Sequence, residues 1–283
     1  MGSKQRNTVA GLVLATCLAS VAIAESRKEY RFIVGPQAHV SVDTRYGAIS
    51  VKPGSANQIL ITATTKSDKV EVESLQNGNR VEVGSRLHPG ADPQSGRVDY
   101  ELLVPADATV HLRSATGPIT ADGLQGDVTL EGAEAQVQAR NQSRGHLMVQ
   151  TMSGPITLND VHNGHVEITS ISGDVHLNSV TAQLVKVDST SGKIFYSGDF
   201  GLGGDYKFST HTGDIEALVP ATASAEFSAQ SLQGQVQNDF PLQPRQHSHS
   251  SLDTTRAFIG TAGKAASGVV MRSFSGKIRL KQR

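Results

Sequence analysis

The chain of 283 residues has no tryptophan and a single cysteine, Cys17. No disulfide can close within one chain. Once the leader described below is removed, neither a thiol nucleophile nor a cysteine-based metal site remains. Aromatic residues make up 5% of the chain, fewer than bulky globular cores use. Net charge is missing as well, with 26 Lys and Arg against 26 Asp and Glu. That balance excludes the basic footprint a nucleic-acid partner needs. Beyond the first 24 residues no apolar run approaches the ~20 residues that cross a bilayer, and helical periodicity is almost absent.

What is present begins with an export signal. Lys4 and Arg6 precede an apolar stretch over 9–23, and Ala22-Ile23-Ala24 is a small-x-small cleavage site. Residues 1–24 read as a signal peptide, and its length and cleavage motif distinguish it from a membrane span. Cys17 reads as an ordinary residue of that stretch. A lipoprotein anchor would want a small residue in place of Thr16 and a polar segment in place of 18–24. Cleavage takes Lys4 and Arg6 away and leaves 24 basic against 26 acidic residues. The expected location is the periplasm, the outer surface or the medium, with no membrane span in the mature chain.

The mature chain is repetitive. Ser114-Ala-Thr-Gly-Pro-Ile119 returns as Thr151-Met-Ser-Gly-Pro-Ile156, Ser170-Ile-Ser-Gly-Asp-Val175, Ser189-Thr-Ser-Gly-Lys-Ile194, Thr210-His-Thr-Gly-Asp-Ile215, Ser231-Leu-Gln-Gly-Gln-Val236 and Ser273-Phe-Ser-Gly-Lys-Ile278. The repeat turns are Gly117, Gly154, Gly173, Gly192, Gly213, Gly234 and Gly276, and Ala135 fills the gap between the first two. Steps between them are 18, 19, 19, 19, 21, 21 and 42 residues. The last step is two periods long and predicts that one unit is replaced or looped out. An upstream copy carries Val40, Val42, Gly47 and Ile49.

Three apolar columns keep this register. They lie seven and five residues before the glycine (Val166 and Ile168, for example) and two after it (Val175), with polar residues between. Such alternation marks strands with one buried face. Each unit therefore holds two short strands joined at Ser/Thr-x-Ser/Thr-Gly, where positive φ or a close backbone approach would call for glycine. Stacked units share one core that no single unit could close.

The fold expected is all-β: a β-solenoid of stacked two-strand repeats of about 19–21 residues, preceded by an antiparallel β region. Residues 25–105 form that region, with strands near Leu60, Val70, Val81 and Val98 and a hairpin turn at Asn77-Gly78-Asn79. Residues 106–283 form the repeats, with a loop at about 237–256 and a short capping strand at Phe258-Ile259. One continuous domain over 25–283 is expected. The basic tail, 277–283, reads as a charged end that discourages end-to-end growth.

The phrase Ser172-Gly173-Asp174-Val175, repeated in register after Val104-Pro105 and a Gly-Ala-Ile copy near the amino end, resembles the bacterial family labelled "putative adhesin", the DUF4097 type. The resemblance runs from about Tyr30 to Leu280. It implies an exported β-repeat fold with no catalytic motif to transfer, and some relatives are linked to envelope-stress systems. Gly-Pro and Gly-Lys each stand twice where that family often has Gly-Asp, so the Asp is not an obligatory ligand here.

Candidate chemistry is thin. His146 and His165 each follow a glycine 19 residues apart and should stack, with Asp127 one coil below, giving a weak metal candidate. A solvent-facing column beside a turn explains them equally, and no metal or other cofactor is assigned. His247-Ser-His249 falls in the expected loop. Asp127, Asp174, Asp199, Asp205 and Asp214 sit in Gly-Asp or similar turns, where Asp caps its own backbone. Gly203-Gly204-Asp205 is too little for a calcium β-roll, and Gly260-Thr-Ala-Gly263-Lys264 has the wrong spacing for a phosphate loop.

No enzyme is expected. A carbohydrate-active β-helix would have longer coils and a clustered catalytic cleft, whereas the basic residues here, such as Arg113, Arg140, Lys186 and Lys207, are scattered. The functional expectation is a non-enzymatic envelope protein, an adhesin or surface-binding scaffold, with outward residues such as Thr157, Lys193 and Arg279 meeting a surface protein or glycan. The alternative is a periplasmic accessory of a stress or signalling system.

Overall fold

The computed structural model describes residues 25–162, 164–244 and 255–283. The expected signal peptide over 1–24, Cys17, His247 and His249 lie outside the described residues. Two sheets make up the fold, with 12 and 13 strands among the described residues. Each repeat contributes one strand to each sheet. Thr109–Ser114, Val128–Gly132, His146–Thr151, His165–Ser170, Leu184–Ser189 and Asp205–Thr210 pair in parallel in the larger sheet. Ile119–Asp122, Val137–Arg140, Ile156–His162, Val175–Thr181, Ile194–Ser197 and Ile215–Val219 do the same in the smaller one.

The three apolar columns are the core. Val110, Val128, Leu147, Val166 and Val185 pair in register, and every member of the three columns is buried. One hydrophobic cluster runs the length of the stack. The few aromatics gather where the period lengthens from 19 to 21 residues. Tyr196, Phe200, Tyr206 and Phe227 have ring centroids 4.7–6.0 Å apart in that half of the core. Burial pushes the phenols of Tyr196 and Tyr206 up from their ordinary value near 10. Tyr100 is raised by burial too, and its hydroxyl has no hydrogen-bond partner by distance and angle, although Ser85 is near enough to lower its pKa slightly.

The amino-terminal region contains the expected antiparallel pairs. Ser26–Ile33 pairs with Gln58–Thr65, which pairs with Val98–Val104, and Val70–Asn77 forms a hairpin with Arg80–Leu87. Gly78, at φ +57°, turns that hairpin. The region is also woven into the repeats. His39–Thr44 and Ile49–Pro53 form a full coil in the repeat register, Val40 facing Val110 and Ile49 facing Ile119.

The carboxyl end corrects the expected order. Among the described residues, the unit expected midway through the 42-residue step is replaced by antiparallel strands, and what differs is where the next coil sits. The chain runs past the Gly213 coil to the Gly234 coil, adds Gln243–Pro244 and Ala257–Ala262 at the sheet edge, and then returns. Ser267–Ser273 inserts between Asp205–Thr210 and Ala225–Ser231, and Ile278–Gln282 inserts between Ile215–Val219 and Val236–Asn238. The tail is therefore an inner coil, and a charged blocking end at 277–283 is not what it forms. Within the expected 237–256 loop, the described part includes the end of one strand and the whole of another. Phe258-Ile259 lies in the strand Ala257–Ala262, which pairs antiparallel with Ala225–Ser231 on one side and Gln243–Pro244 on the other.

Candidate functional site

The repeat phrase builds one corner of the coil, and the corners stack. The residue before each glycine donates its N–H to the carbonyl of the x residue one coil below: Ser172 to Met152, Ser191 to Ile171, Thr212 to Thr190, Ser275 to His211 and Gln233 to Phe274. This ladder brings the glycines so close that a Cβ on Gly173 would lie 2.0 Å from the Gly154 carbonyl oxygen. The same distance is 2.1 Å for Gly192 above Gly173 and 1.8 Å for Gly276 above Gly213. Close approach is what excludes side chains there. Among the repeat glycines only Gly47 has positive φ, at +117°.

The hydroxyl three residues before the glycine is buried and closes the corner. Ser170 Oγ donates to Gly173 O (2.9 Å), and Thr210 Oγ1 accepts from Gly213 N–H (3.1 Å). In the Ala135 coil the pattern is exchanged, with Gly132 in the hydroxyl position. A Cβ on Gly132 would meet the Ala135 Cβ at 2.8 Å, so alanine fills the space that the hydroxyl occupies elsewhere.

The x residues point outward and form a ridge. In spatial order they are Ala115, Ala133, Met152, Ile171, Thr190, His211, Phe274 and Leu232. Met152 is 57% exposed, Ile171 49%, Phe274 38% and Leu232 56%. His211 stacks on Phe274 with centroids 4.7 Å apart. Eight coils at ~4.8 Å make a stripe about 34 Å long. At its amino end the ridge drops to Ala115 and Ala133, and a trough opens. A cleft of about 670 Å³ lies over Ala115, Gly132 and Ala133, between Met152 and Ile171 on one side and Arg45 and Tyr46 on the other. A second cleft, of about 980 Å³, continues past Tyr46 and Thr116 to the loops carrying Lys66, Lys69, Gln94 and Arg97.

Two of the three metal-candidate side chains meet. His146 and His165 are paired in register, with Nε2 of the first 2.7 Å from Nδ1 of the second. Asp127 Oδ1 instead accepts the backbone N–H of His146 at 2.8 Å. No group of three His, Cys, Asp or Glu suited to a metal occurs among the described residues.

The turn aspartates need correcting. Asp174 Oδ1 accepts from Lys193 N–H and Asp214 Oδ1 from Lys277 N–H, each at 2.8 Å, so they tie neighbouring coils together and do not cap their own turns. Asp199 does cap its own turn, accepting from Phe200 N–H, and Asp205 pairs with Lys207 Nζ at 2.6 Å. Of the outward residues, Lys193 is exposed, while Arg279 is engaged by Glu216 at 3.4 Å.

Sequence reasoning passed over the x ridge and also a second glycine stack at another corner. A Cβ on Gly145 would lie 2.1 Å from Gly126 O, and one on Gly164 2.2 Å from Gly145 O. The signal for that stack was the glycine nine residues before the repeat position.

No curated protein matches the chain. Among solved structures it is similar to a putative adhesin from Bacteroides fragilis, at 9% identity and a TM-score of 0.48, covering 91% of this chain and 98% of that one. It is similar to a putative cell adhesion protein from Clostridium sporogenes at 13% identity and a TM-score of 0.29, covering 91% and 100%. A putative lipid binding protein from Parabacteroides distasonis shares 9% identity at a TM-score of 0.39, covering 90% and 96%. The Toastrack DUF4097 family model matches residues 38–281, and the chain belongs to that family.

Proposed function

We propose that this chain is an exported, non-enzymatic cell-envelope protein whose solenoid presents the corner ridge as a binding surface, in the manner of an adhesin or surface-binding scaffold. The observation that carries the reading is the ridge itself. Met152 and Ile171 on one pair of neighbouring coils, and Phe274 and Leu232 on another, stand exposed at one repeat position, where burial offers no reason for them. Contiguous exposed apolar surface on a soluble protein marks an interaction site. Export is supported by Lys4, Arg6, the apolar stretch over 9–23 and Ala22-Ile23-Ala24. The non-enzymatic reading is supported by the engagement of candidate groups elsewhere: Asp127, Asp174 and Asp214 bind backbone N–H groups of adjacent coils.

Cell fractionation combined with a pull-down on the purified mature protein tests this. The expected result is recovery from the envelope or medium and retention by envelope material, lost in a Met152→Asp, Ile171→Asp, Phe274→Asp variant. Recovery from the cytoplasm, or retention indifferent to the ridge variant, refutes it.

A further inference from the structure

We propose that the trough at the amino end of the ridge is a binding site for a neutral oligosaccharide, an inference that rests on the binding-surface reading above. The trough exists because two outward positions that are larger in the following coils are small here. Ala115 and Ala133 stand where later coils carry Met152, Ile171, Thr190, His211, Phe274 and Leu232. The floor is backbone and methyl, with Met152 and Ile171 as an apolar wall. Tyr46 and Thr116 border both clefts, so the two adjoin. Ligand pockets are commonly about 300–1,000 Å³. Two such neighbouring clefts suit a chain-like ligand better than one sugar ring.

The rim decides the class of ligand. In the larger cleft Lys66, Lys69 and Arg97 stand with Asp68 and Asp92. In the smaller, Arg45 and Arg113 stand with Asp43 and Glu131. Several of these groups are held in place by ion pairs. Arg113 lies 3.9 Å from Asp43 and 4.0 Å from Glu131, which also meets His111 at 3.0 Å, and Arg97 is 3.2 Å from Asp99. Interleaved donors and acceptors of balanced charge match alternating hydroxyl groups. A polyanion would need an excess of cations, and a lipid surface would need a convex apolar face in place of a charged trough. Tyr46 supplies a flat apolar face with a polar tip between the two clefts, as aromatic residues do at such sites.

The test is calorimetric titration of the mature protein with three hexasaccharides: β-1,4-glucose, β-1,4-N-acetylglucosamine and α-1,4-galacturonic acid. Tyrosine fluorescence follows the same titrations, free of tryptophan background because the chain has none. At least one neutral hexasaccharide is expected to bind saturably below about 5 mM. Tyr46→Ala should weaken it by about tenfold or more, as for an aromatic anchor. Ala133→Phe, an outward substitution that fills the floor, should abolish it, with thermal melting confirming the fold. Leu202→Asp, at an exposed turn outside both the ridge and the trough, should leave affinity within about twofold. The proposal is overturned if no neutral hexasaccharide binds, if only the galacturonate binds, or if binding survives both Tyr46→Ala and Ala133→Phe. If saccharide binding fails while ridge-dependent envelope retention persists, only the trough assignment falls; if both fail, the binding-surface reading falls with it.

Discussion

Replacing Gly192 by alanine tests whether the repeat glycines answer to coil spacing. The added Cβ would lie 2.1 Å from Gly173 O, 2.8 Å from its carbonyl carbon and 3.0 Å from Ser189 Oγ. Gly192 is not in the left-handed region, so backbone strain contributes nothing. Ordinary contact starts near 3.4 Å, so one coil must retreat by roughly 1 Å from a ladder spaced at ~4.8 Å. That ladder is held locally by Ser191 N–H to Ile171 O (2.8 Å), Val175 N–H to Lys193 O (2.8 Å) and Ile194 N–H to Asp214 O (2.9 Å). Overpacking costs about 1–3 kcal/mol, and weakening one or two of these bonds adds about 1 kcal/mol each. The expected loss is about 2–5 kcal/mol, a large part of the ~5–15 kcal/mol that stabilises a domain.

Urea unfolding of the mature protein, followed by circular dichroism and tyrosine fluorescence, measures this loss. Gly78→Ala is the control: its Cβ meets nothing within 4 Å, and only the strain of φ +57° remains, about 1–2 kcal/mol. The Ala135 coil supplies a second arm. If alanine is tolerated there because Gly132 vacates the hydroxyl space, then Ser189→Gly combined with Gly192→Ala should be more stable than Gly192→Ala alone. A Gly192→Ala variant within about 0.5 kcal/mol of the parent, or a double variant no better than the single, refutes the reasoning.

Asp174→Ala removes the acceptor of Lys193 N–H and should cost about 1–2 kcal/mol in urea unfolding. Asp174→Asn keeps an acceptor and should lose less than half of that; equal losses would count against the coil-to-coil bond. Tyr100→Phe deletes a buried hydroxyl without a geometric partner and is expected to leave stability unchanged or raise it by about 1 kcal/mol. A loss of that size would instead assign Ser85 as a firm partner. Burial raises the folded-state pKa of Tyr100, Tyr196 and Tyr206 above the ordinary value of 10. Each therefore favours the fold fully below pH ~10, and the contribution declines as pH rises above the unfolded value. Absorbance at about 295 nm should show these phenols ionising only together with loss of the β-sheet signal; ionisation near pH 10 with the fold intact would contradict this.

The buried columns were legible because two signals coincide: alternation with period 2 and a fixed distance to the glycine. Val166, Ile168 and Val175 each satisfy both. The glycines were legible as residues that matter. Their cause was legible as positive φ or close approach, but not which of the two, because Gly173 and Gly154 are 19 residues apart and their clash exists only once coils stack. The same distance misassigned Asp174, whose partner Lys193 looks remote in the chain. The ridge escaped because its position has no residue type in common. Ala115, Met152, Thr190, His211 and Phe274 share an outward direction and nothing else.

Coil order at the carboxyl end is the hardest feature to read, since a 21-residue period would allow the Gly234 coil to sit directly on the Gly213 coil. Charge and volume explain why the last coil takes that place. Glu216 holds Arg279 (3.4 Å) and Lys281 (3.0 Å), and Asp214 lies 4.0 Å from Arg279. At the positions of Lys277, Arg279 and Lys281 the Gly234 coil would offer Gln235, Gln237 and Asp239. In the core, Val269 separates Tyr206 from Phe227, and Met271 stands between Phe208 and Ala229, so the two bulky rings of the first column are not stacked directly. Reversing the charge with Glu216→Arg turns two partly exposed attractions into repulsions, roughly 1–3 kcal/mol against the observed order.

Residues 25–283 contain no cysteine, so engineered pairs in that span can report the order. Lys207 and Val270 lie on adjacent strands, as do Val270 and Ser228. A disulfide needs Cα atoms ~4.4–6.8 Å apart, which neighbouring coils satisfy and coils two steps apart, at ~9.6 Å, do not. Oxidation should therefore close Lys207→Cys with Val270→Cys and leave Lys207→Cys with Ser228→Cys open, until Glu216→Arg is added and the second pair begins to close. Closure of the second pair without Glu216→Arg would refute the intercalated order. Failure of Glu216→Arg to change either pair would leave volume, not charge, as what places the last coil.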